Sequence, residues 1–317
     1  MKTTISLQSL KKATLIIAGV LLLTIIFLSF EIYVPINPDS RQTANFSVQK
    51  GWGDEEIAKN LKEAGLIRSS YFFRFYVFSA LKHFQLQAGE YNLSPKMSLH
   101  QIANKMAQGD IIKDNVVIPE GWNMQKIGEY LQEKGICQKD YFVSLATGRE
   151  GYLFPDTYQI SKTTTCEDIL DAMFSNFDRK LAPYQNEISS AGLTISEVVI
   201  MASLLEKEVI TFEDKEIVSG ILWKRLSIDM PLQVDATIVY ITGKANISNG
   251  DKKIESPYNT YKYNGLPAGP IASPGLDSIK AAIFPKQTDY WYYLTDGKTI
   301  FSKTFEEHMD AKAKYLE

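Results

Sequence analysis

The stretch TISEVVIMASLLEKE, residues 194–208, decides how the rest of the chain is read. Thr194 with Glu197 three residues on is a capping box, which starts a helix. From Val198 to Leu205 only Ser203 interrupts a run of apolar or small residues, and these occupy every face. A helix apolar all round belongs inside a domain. It carries Glu206 out at its C-terminal end, at helical spacing from Val198, Val199, Ala202 and Ser203. A carboxyl on such a surface is poorly solvated, which suits it to proton transfer. The same pattern also fits a helix that has simply reached solvent at Glu206, Lys207 and Glu208.

The chain has 317 residues, 45% of them hydrophobic, enough to bury a real core in two or three compact units. Its formal net charge of -3, without long blocks of either sign, gives no sign of a nucleic-acid partner. The three histidines, His83, His100 and His308, are far apart and no His/Cys cluster has metal-ligand spacing. There is no nucleophile elbow and no phosphate-binding glycine loop. No metal and no cofactor are expected. Cys137 and Cys166 are the only cysteines. They allow one intramolecular pairing, but spacing does not say whether they are within reach.

Ala13 to Phe30 is an uncharged run of 18 residues, extended by Tyr33 and Val34, and it is long enough to span a bilayer. Lys2, Lys11 and Lys12 precede it and Glu31 and Asp39 follow, which predicts a cytoplasmic N-terminus at 1–12 and an anchor at 13–34. No small-x-small cleavage site follows the run, so an uncleaved anchor is favoured over a signal peptide. Residues 35–45 read as a short tether.

Shifting the chain by 70 residues aligns FSVQKGWGDEEIAKNLKEAGLI (46–67) with VVIPEGWNMQKIGEYLQEKGIC (116–137) without a gap. Each copy reads as a strand, a Gly-Trp turn, an amphipathic helix closed by glycine, and a second helix. SLHQIANKMAQGD (98–110) is a partial echo. The first copy resembles a LysM-type sugar-binding module, although the shared residues are also those that packing alone requires. AGEYNLS (88–94) is expected to pair with 46–50. EGYLFPDTYQI (150–160) reads as a rigid loop rather than regular structure. Thr211 with Asp214 is a second capping box. SPYNTYKYNGLPAGPIASPG (256–275) is a long ordered loop, and YWYYLTD (290–296) with TIFS (299–302) a hairpin before a closing helix.

The series EGYLFPDTY (150–158), ASLLEKE (202–208), LQVDATIVY (232–240), SPYNTY (256–261), GLPAGPIASPG (265–275) and FSKTFEEH (301–308) resembles the YceG-like (MltG) family over roughly residues 45–310. Its members are membrane-anchored endolytic murein transglycosylases. Three positions depart from the family pattern: Ala236 stands where proline is usual, Met309 where asparagine is usual, and a histidine is missing near Thr299.

The resemblance implies an α+β chain: the anchor, a LysM-like subdomain at 46–115, and a mixed α+β catalytic domain at 116–317 that opens with the second repeat copy (116–142). It implies a single-pass protein of the bacterial cytoplasmic membrane whose catalytic domain is extracytoplasmic. Such a protein would cut the MurNAc–GlcNAc bond within nascent strands, leave 1,6-anhydroMurNAc ends, and so limit strand elongation. The implied partners are glycan strands, the membrane and peptidoglycan synthases. The first glutamate of the Glu-Lys-Glu motif, Glu206, is the implied catalytic residue. Glu208, two residues on, faces elsewhere on a helix and does not pair with it. Gln233, Asp235, Tyr258 and Asn259 are the candidate substrate contacts, with loop architecture the competing role for the last two. A hydrolase using Asp235 as a second carboxylate, and a non-catalytic wall-binding scaffold, are the alternatives.

Overall fold

Helix formation is the one way an uncharged run can satisfy its backbone hydrogen bonds from within. In the computed structural model, which describes residues 7–81 and 85–315, that run is α1 (Leu7–Tyr33). Its stretch Lys11–Tyr33 is long and apolar enough to cross a membrane. Lys2, His83, Leu316 and Glu317 lie outside the described residues. The chain divides into two units, Met1–Asp114 with Gln159–Thr163, and Asn115–Tyr158 with Thr164–Glu317.

In the first unit, β1 (Ala44–Val48), α2 (Asp54–Glu63), α3 (Ser70–Ala80) and β2 (Gly89–Leu93) follow α1. The tether thus ends slightly early, at the start of β1. β1 and β2 pair antiparallel, with Phe46 opposite Tyr91, as expected for 88–94. Alternation along β1 sends Phe46 and Val48 into a core shared with Ile57 and Leu61 of α2 and Phe73 and Val77 of α3. The partial echo forms α4 (Leu99–Ala107), whose Ser98 hydroxyl and Gln101 amide complete a capping box.

The second repeat copy gives β3 (Asp114–Val117), α5 (Met124–Glu133) and α6 (Lys139–Leu145). Gly65 and Gly135, equivalent in the repeat, sit at φ +69° and +70° just past α2 and α5, where a side chain would be strained. Residues 150–156 are irregular as read, but Thr157–Ile160 is a strand, β4, paired with β3. The loop reading of 150–160 is corrected there: the second copy closes its strand–helix–helix–strand run as the first does. Pro155 and the aromatic residues masked a strand of only four residues.

Then come α7 (Cys166–Leu181), α8 (Gln185–Ser190), α9 (Ile195–Glu208), α10 (Phe212–Ser227), α11 (Asp235–Thr242) and α12 (Leu276–Ile283). The hairpin β5 (Tyr292–Asp296) and β6 (Lys298–Ser302) precedes α13 (Phe305–Tyr315). Cys137 and Cys166 are joined by a disulfide with Cα atoms 5.3 Å apart, tying the turn between α5 and α6 to the start of α7. The Thr194 hydroxyl accepts from the Glu197 amide, and the Glu197 carboxylate accepts from the Thr194 amide at 2.8 Å, so α9 starts as its sequence predicts. Every residue from Val198 to Leu205 is buried. They form the centre of a core with Val218 and Leu222 of α10, Ile279 and Ala282 of α12, and Leu232 and Val234. At Thr211 only half the expected box forms: its hydroxyl accepts from the Asp214 amide, while the Asp214 carboxylate takes the Thr299 hydroxyl instead.

Candidate active site

α9 ends with two glutamates on opposite sides. Glu206 Oε2 accepts from the Ser278 hydroxyl at 2.6 Å and the Gly275 amide at 3.1 Å, and lies 3.3 Å from the Lys215 ammonium. Its side chain is 9% exposed and that of Lys215 is 6%. One carboxylate thereby joins α9, α10 and the N-terminus of α12. The loop above is fastened the same way: the Ser203 hydroxyl donates to the Ile200 carbonyl and accepts from the Ile271 amide. Ser273 exchanges backbone hydrogen bonds with Gly121 and Trp122. Glu120 packs over Gly275, and burial, then the Glu206 carboxyl, raises its pKa.

Glu208 opens on a different surface. It lines a cleft of about 600 Å³ with Gln233, Asp235, Tyr261, Tyr293 and His308. The Ala236 amide donates to its Oε1 at 3.3 Å and the Tyr293 hydroxyl to its Oε2 at 3.1 Å. Burial of the carboxyl outweighs these bonds and pushes its pKa up to about 7. That is the range in which one carboxyl can give a proton and take one back near neutral pH.

Two of the sequence-predicted contacts share this cleft. Asp235 caps the wall from the first turn of α11, held by the Tyr261 hydroxyl and by Lys252, whose ammonium is 3.2 Å away. Gln233 sits at φ +55°, a left-handed conformation that costs a non-glycine residue about 1–2 kcal/mol. Hydrogen bonds from the Gln233 amide to the Thr260 carbonyl and from the Val234 amide to the Thr260 hydroxyl hold it there.

The other three predicted residues lie elsewhere. Glu206 is not among the cleft-lining residues. Asn259 is 1% exposed, and its amide donates to the Lys252 and Ile254 carbonyls while its oxygen accepts from the Tyr261 amide. It shapes the loop that presents Tyr261. Tyr258 packs on Tyr240 with ring centroids 5.0 Å apart, its hydroxyl close over Gly269. For both, these contacts fit the competing architectural role, since Asn259 spends its side-chain amide on backbone groups and Tyr258 packs its ring on Tyr240.

Sequence reading passed over Tyr261, Tyr293, His308 and Glu208 as site residues. Tyr261 and His308 end motifs already singled out, and the unbroken aromatic run Tyr290–Trp291–Tyr292–Tyr293 was the signal for Tyr293. A further carboxyl, Glu150, is 7% exposed and accepts from the Met124 amide with both oxygens. Burial pushes it up to about 7 as well, and it belongs to the packing around Tyr240.

The model of the YceG-like family matches residues 46–314. An endolytic murein transglycosylase of Streptococcus pneumoniae serotype 2 (strain D39 / NCTC 7466) is 32% identical, covering 87% of this chain and 59% of its own. One of Bacillus subtilis (strain 168) is also 32% identical, covering 89% of this chain and 87% of its own. A crystal structure of a YceG-like protein from Listeria monocytogenes, 32% identical, aligns with a TM-score of 0.57 over 86% of this chain and all of that one. The chain spans about three fifths of the length of the pneumococcal relatives it matches. With the family pattern running through nearly all of it, this chain belongs to the YceG-like family.

Proposed function

We propose that this chain is a membrane-anchored endolytic lytic transglycosylase and that Glu208, rather than Glu206, is its proton donor. The observation that carries the assignment is the cleft: Glu208 shares it with Asp235, Gln233 and Tyr261, and burial there raises its pKa to about 7. Relatives named endolytic murein transglycosylase support the reaction class. Glu206, tied to Lys215, Ser278 and Gly275, acts as a fastening of the fold.

In the proposed reaction, protonated Glu208 gives its proton to the glycosidic oxygen between MurNAc and GlcNAc as the C1–O bond breaks. The MurNAc C6 hydroxyl closes on C1, and the Glu208 carboxylate takes the proton that hydroxyl loses. The products are a 1,6-anhydroMurNAc end and a free GlcNAc hydroxyl, and the glutamate is back in its starting form. One carboxyl suffices because no water is activated, in contrast to a hydrolase. Asp235 and Gln233 supply polar support to the oxocarbenium-like state, and Tyr261 and Tyr293 orient the two carboxyls.

The α1 helix is the anchor of this protein, with the N-terminus cytoplasmic and the chain after the span outside. The lysines Lys11 and Lys12 before the span and Glu31 and Asp39 after it support that direction. The β1-α2-α3-β2 order, with its outer strands paired antiparallel, supports a LysM-type module in the first unit. Cutting near the membrane brings the enzyme beside peptidoglycan synthases, which are the partner class.

Mass spectrometry of the products released from purified glycan strands by the full chain tests the reaction. The expected products carry 1,6-anhydroMurNAc ends from breaks inside the strand. Reducing MurNAc ends would make the protein a hydrolase with Asp235 as the second carboxylate. Binding without products would make it a scaffold.

A further inference from the structure

α3 presents two different faces. Phe73, Tyr76 and Val77 are buried in the core of the first unit. Tyr71, Phe75 and Phe78, four and three residues apart and so on one side of the helix, are 71%, 43% and 79% exposed. Three large rings side by side in water are an unfavourable surface, and such a patch marks a contact.

The neighbours of α3 say with what. The ring of Phe72, next to Tyr71, meets that of Phe27 on α1 edge-on, with centroids 5.6 Å apart. Phe27 lies about 24 Å along the helix from Lys11, inside the roughly 30 Å hydrocarbon layer that the span crosses. Arg68, just before α3, donates to the Val34 carbonyl at 2.6 Å and stacks over Phe30 at 4.7 Å. The start of α3 is therefore fixed to the outer end of the span.

We infer that the Tyr71–Phe75–Phe78 face of α3 seats in the outer interface of the same bilayer that holds α1. This rests on the reading of α1 as a membrane anchor. Aromatic rings prefer the headgroup level, where an apolar body and wet edges are both satisfied. Arg74 flanks the face, with a long stem that can lie along it while its head reaches water. Arg74 already leans outward, 3.6 Å from Glu55. The first unit then rests on the membrane surface and is not free to swing on its tether.

Because the two native cysteines are joined, a single added cysteine takes a fluorophore uniquely. The full chain carrying Phe78→Cys, Lys59→Cys or Val20→Cys is labelled with an environment-sensitive dye. It is reconstituted at low density in vesicles of phosphatidylethanolamine and phosphatidylglycerol. Position 78 should lose fluorescence to lipids spin-labelled near the headgroup and be protected from aqueous iodide. Position 59, on the exposed side of α2, should do the reverse, and position 20 should be quenched by lipids labelled deep in the chain. If 78 behaves like 59 while 20 is quenched by lipid, the proposal fails and the anchor stands. Shielding of 78 from both quenchers would assign the face to a second protein, and overturns the proposal too. A position 20 open to iodide would remove the anchor itself.

Discussion

Glu206 and Glu208 are two residues apart on α9, yet Glu206 Oε2 lies 3.3 Å from the Lys215 ammonium while Glu208 Oε2 takes the Tyr293 hydroxyl at 3.1 Å. Two helical steps rotate a side chain by about 200°, so a pair at this spacing must serve two different surfaces. One surface is a seam between helices and the other is a cleft. The division of roles proposed for the two glutamates rests on that geometry.

Replacing Glu206 with Gln leaves the Lys215 ammonium in a site only 6% exposed without its counter-charge. Breaking a buried pair from one side costs about 3–5 kcal/mol. A lowered thermal midpoint, measured by circular dichroism, is the expected result, with the double replacement Glu206→Gln, Lys215→Met recovering part of the loss. Unchanged stability in the single variant would remove the seam role.

Asn259→Ala strips three hydrogen bonds from the loop at 252–261. Each buried backbone group left unpaired costs about 1–3 kcal/mol. The variant should lose stability and, because Tyr261 is no longer held against Asp235, lose catalytic rate more than substrate affinity. A pure rise in KM with full stability would instead return Asn259 to the list of substrate contacts.

Stability should depend on pH through Glu150. Its pKa is raised from 4.5 to about 7 by burial, so the folded state holds the proton more tightly than the unfolded chain. The folded state is therefore favoured most below about 4.5 and loses stability as pH rises to about 7, by about 3 kcal/mol in all. Glu208, raised for the same reason, adds to the same fall. Glu150→Gln keeps an acceptor for the Met124 amide but cannot ionise. Urea unfolding between pH 4.5 and 8 should show a shallower decline in this variant, and an identical decline would exclude Glu150 as its source.

The Cys137–Cys166 bridge closes a loop of 29 residues. Chain entropy puts its contribution at about 3–4 kcal/mol. The double Cys→Ser variant should unfold at correspondingly lower urea, and equal midpoints with and without reductant in the unmutated protein would mean the bridge contributes nothing.

Much of this architecture was legible beforehand. The uncharged run from Ala13 to Phe30, the 70-residue repeat and the Val198–Leu205 segment each depend on local pattern: the first forms a single long helix, the second recurs as strand and two helices, and the third is buried. What was not legible depended on partners far away in sequence. Nothing within 202–208 says that Lys215 and Ser278 will close over Glu206 while Tyr293 and Ala236 reach Glu208. Asn259 likewise reads as a substrate contact or a loop brace with equal ease. The carbonyls of Lys252 and Ile254, which favour the brace, are brought to it only by the fold.

The central claim is the choice of glutamate, and it is tested by the initial rate of 1,6-anhydroMurNAc end formation in Glu206→Gln and Glu208→Gln, each normalised to folded protein. General acid–base help is worth about 10²–10⁴-fold, and here one group supplies both halves, so Glu208→Gln should fall by that much or more while still binding strands. The unmutated rate should itself fall as pH rises through about 7, where Glu208 gives up its proton. Glu206→Gln should keep cutting. Folded Glu206→Gln without activity beside active Glu208→Gln would contradict the account and return the chemistry to the Lys215 seam.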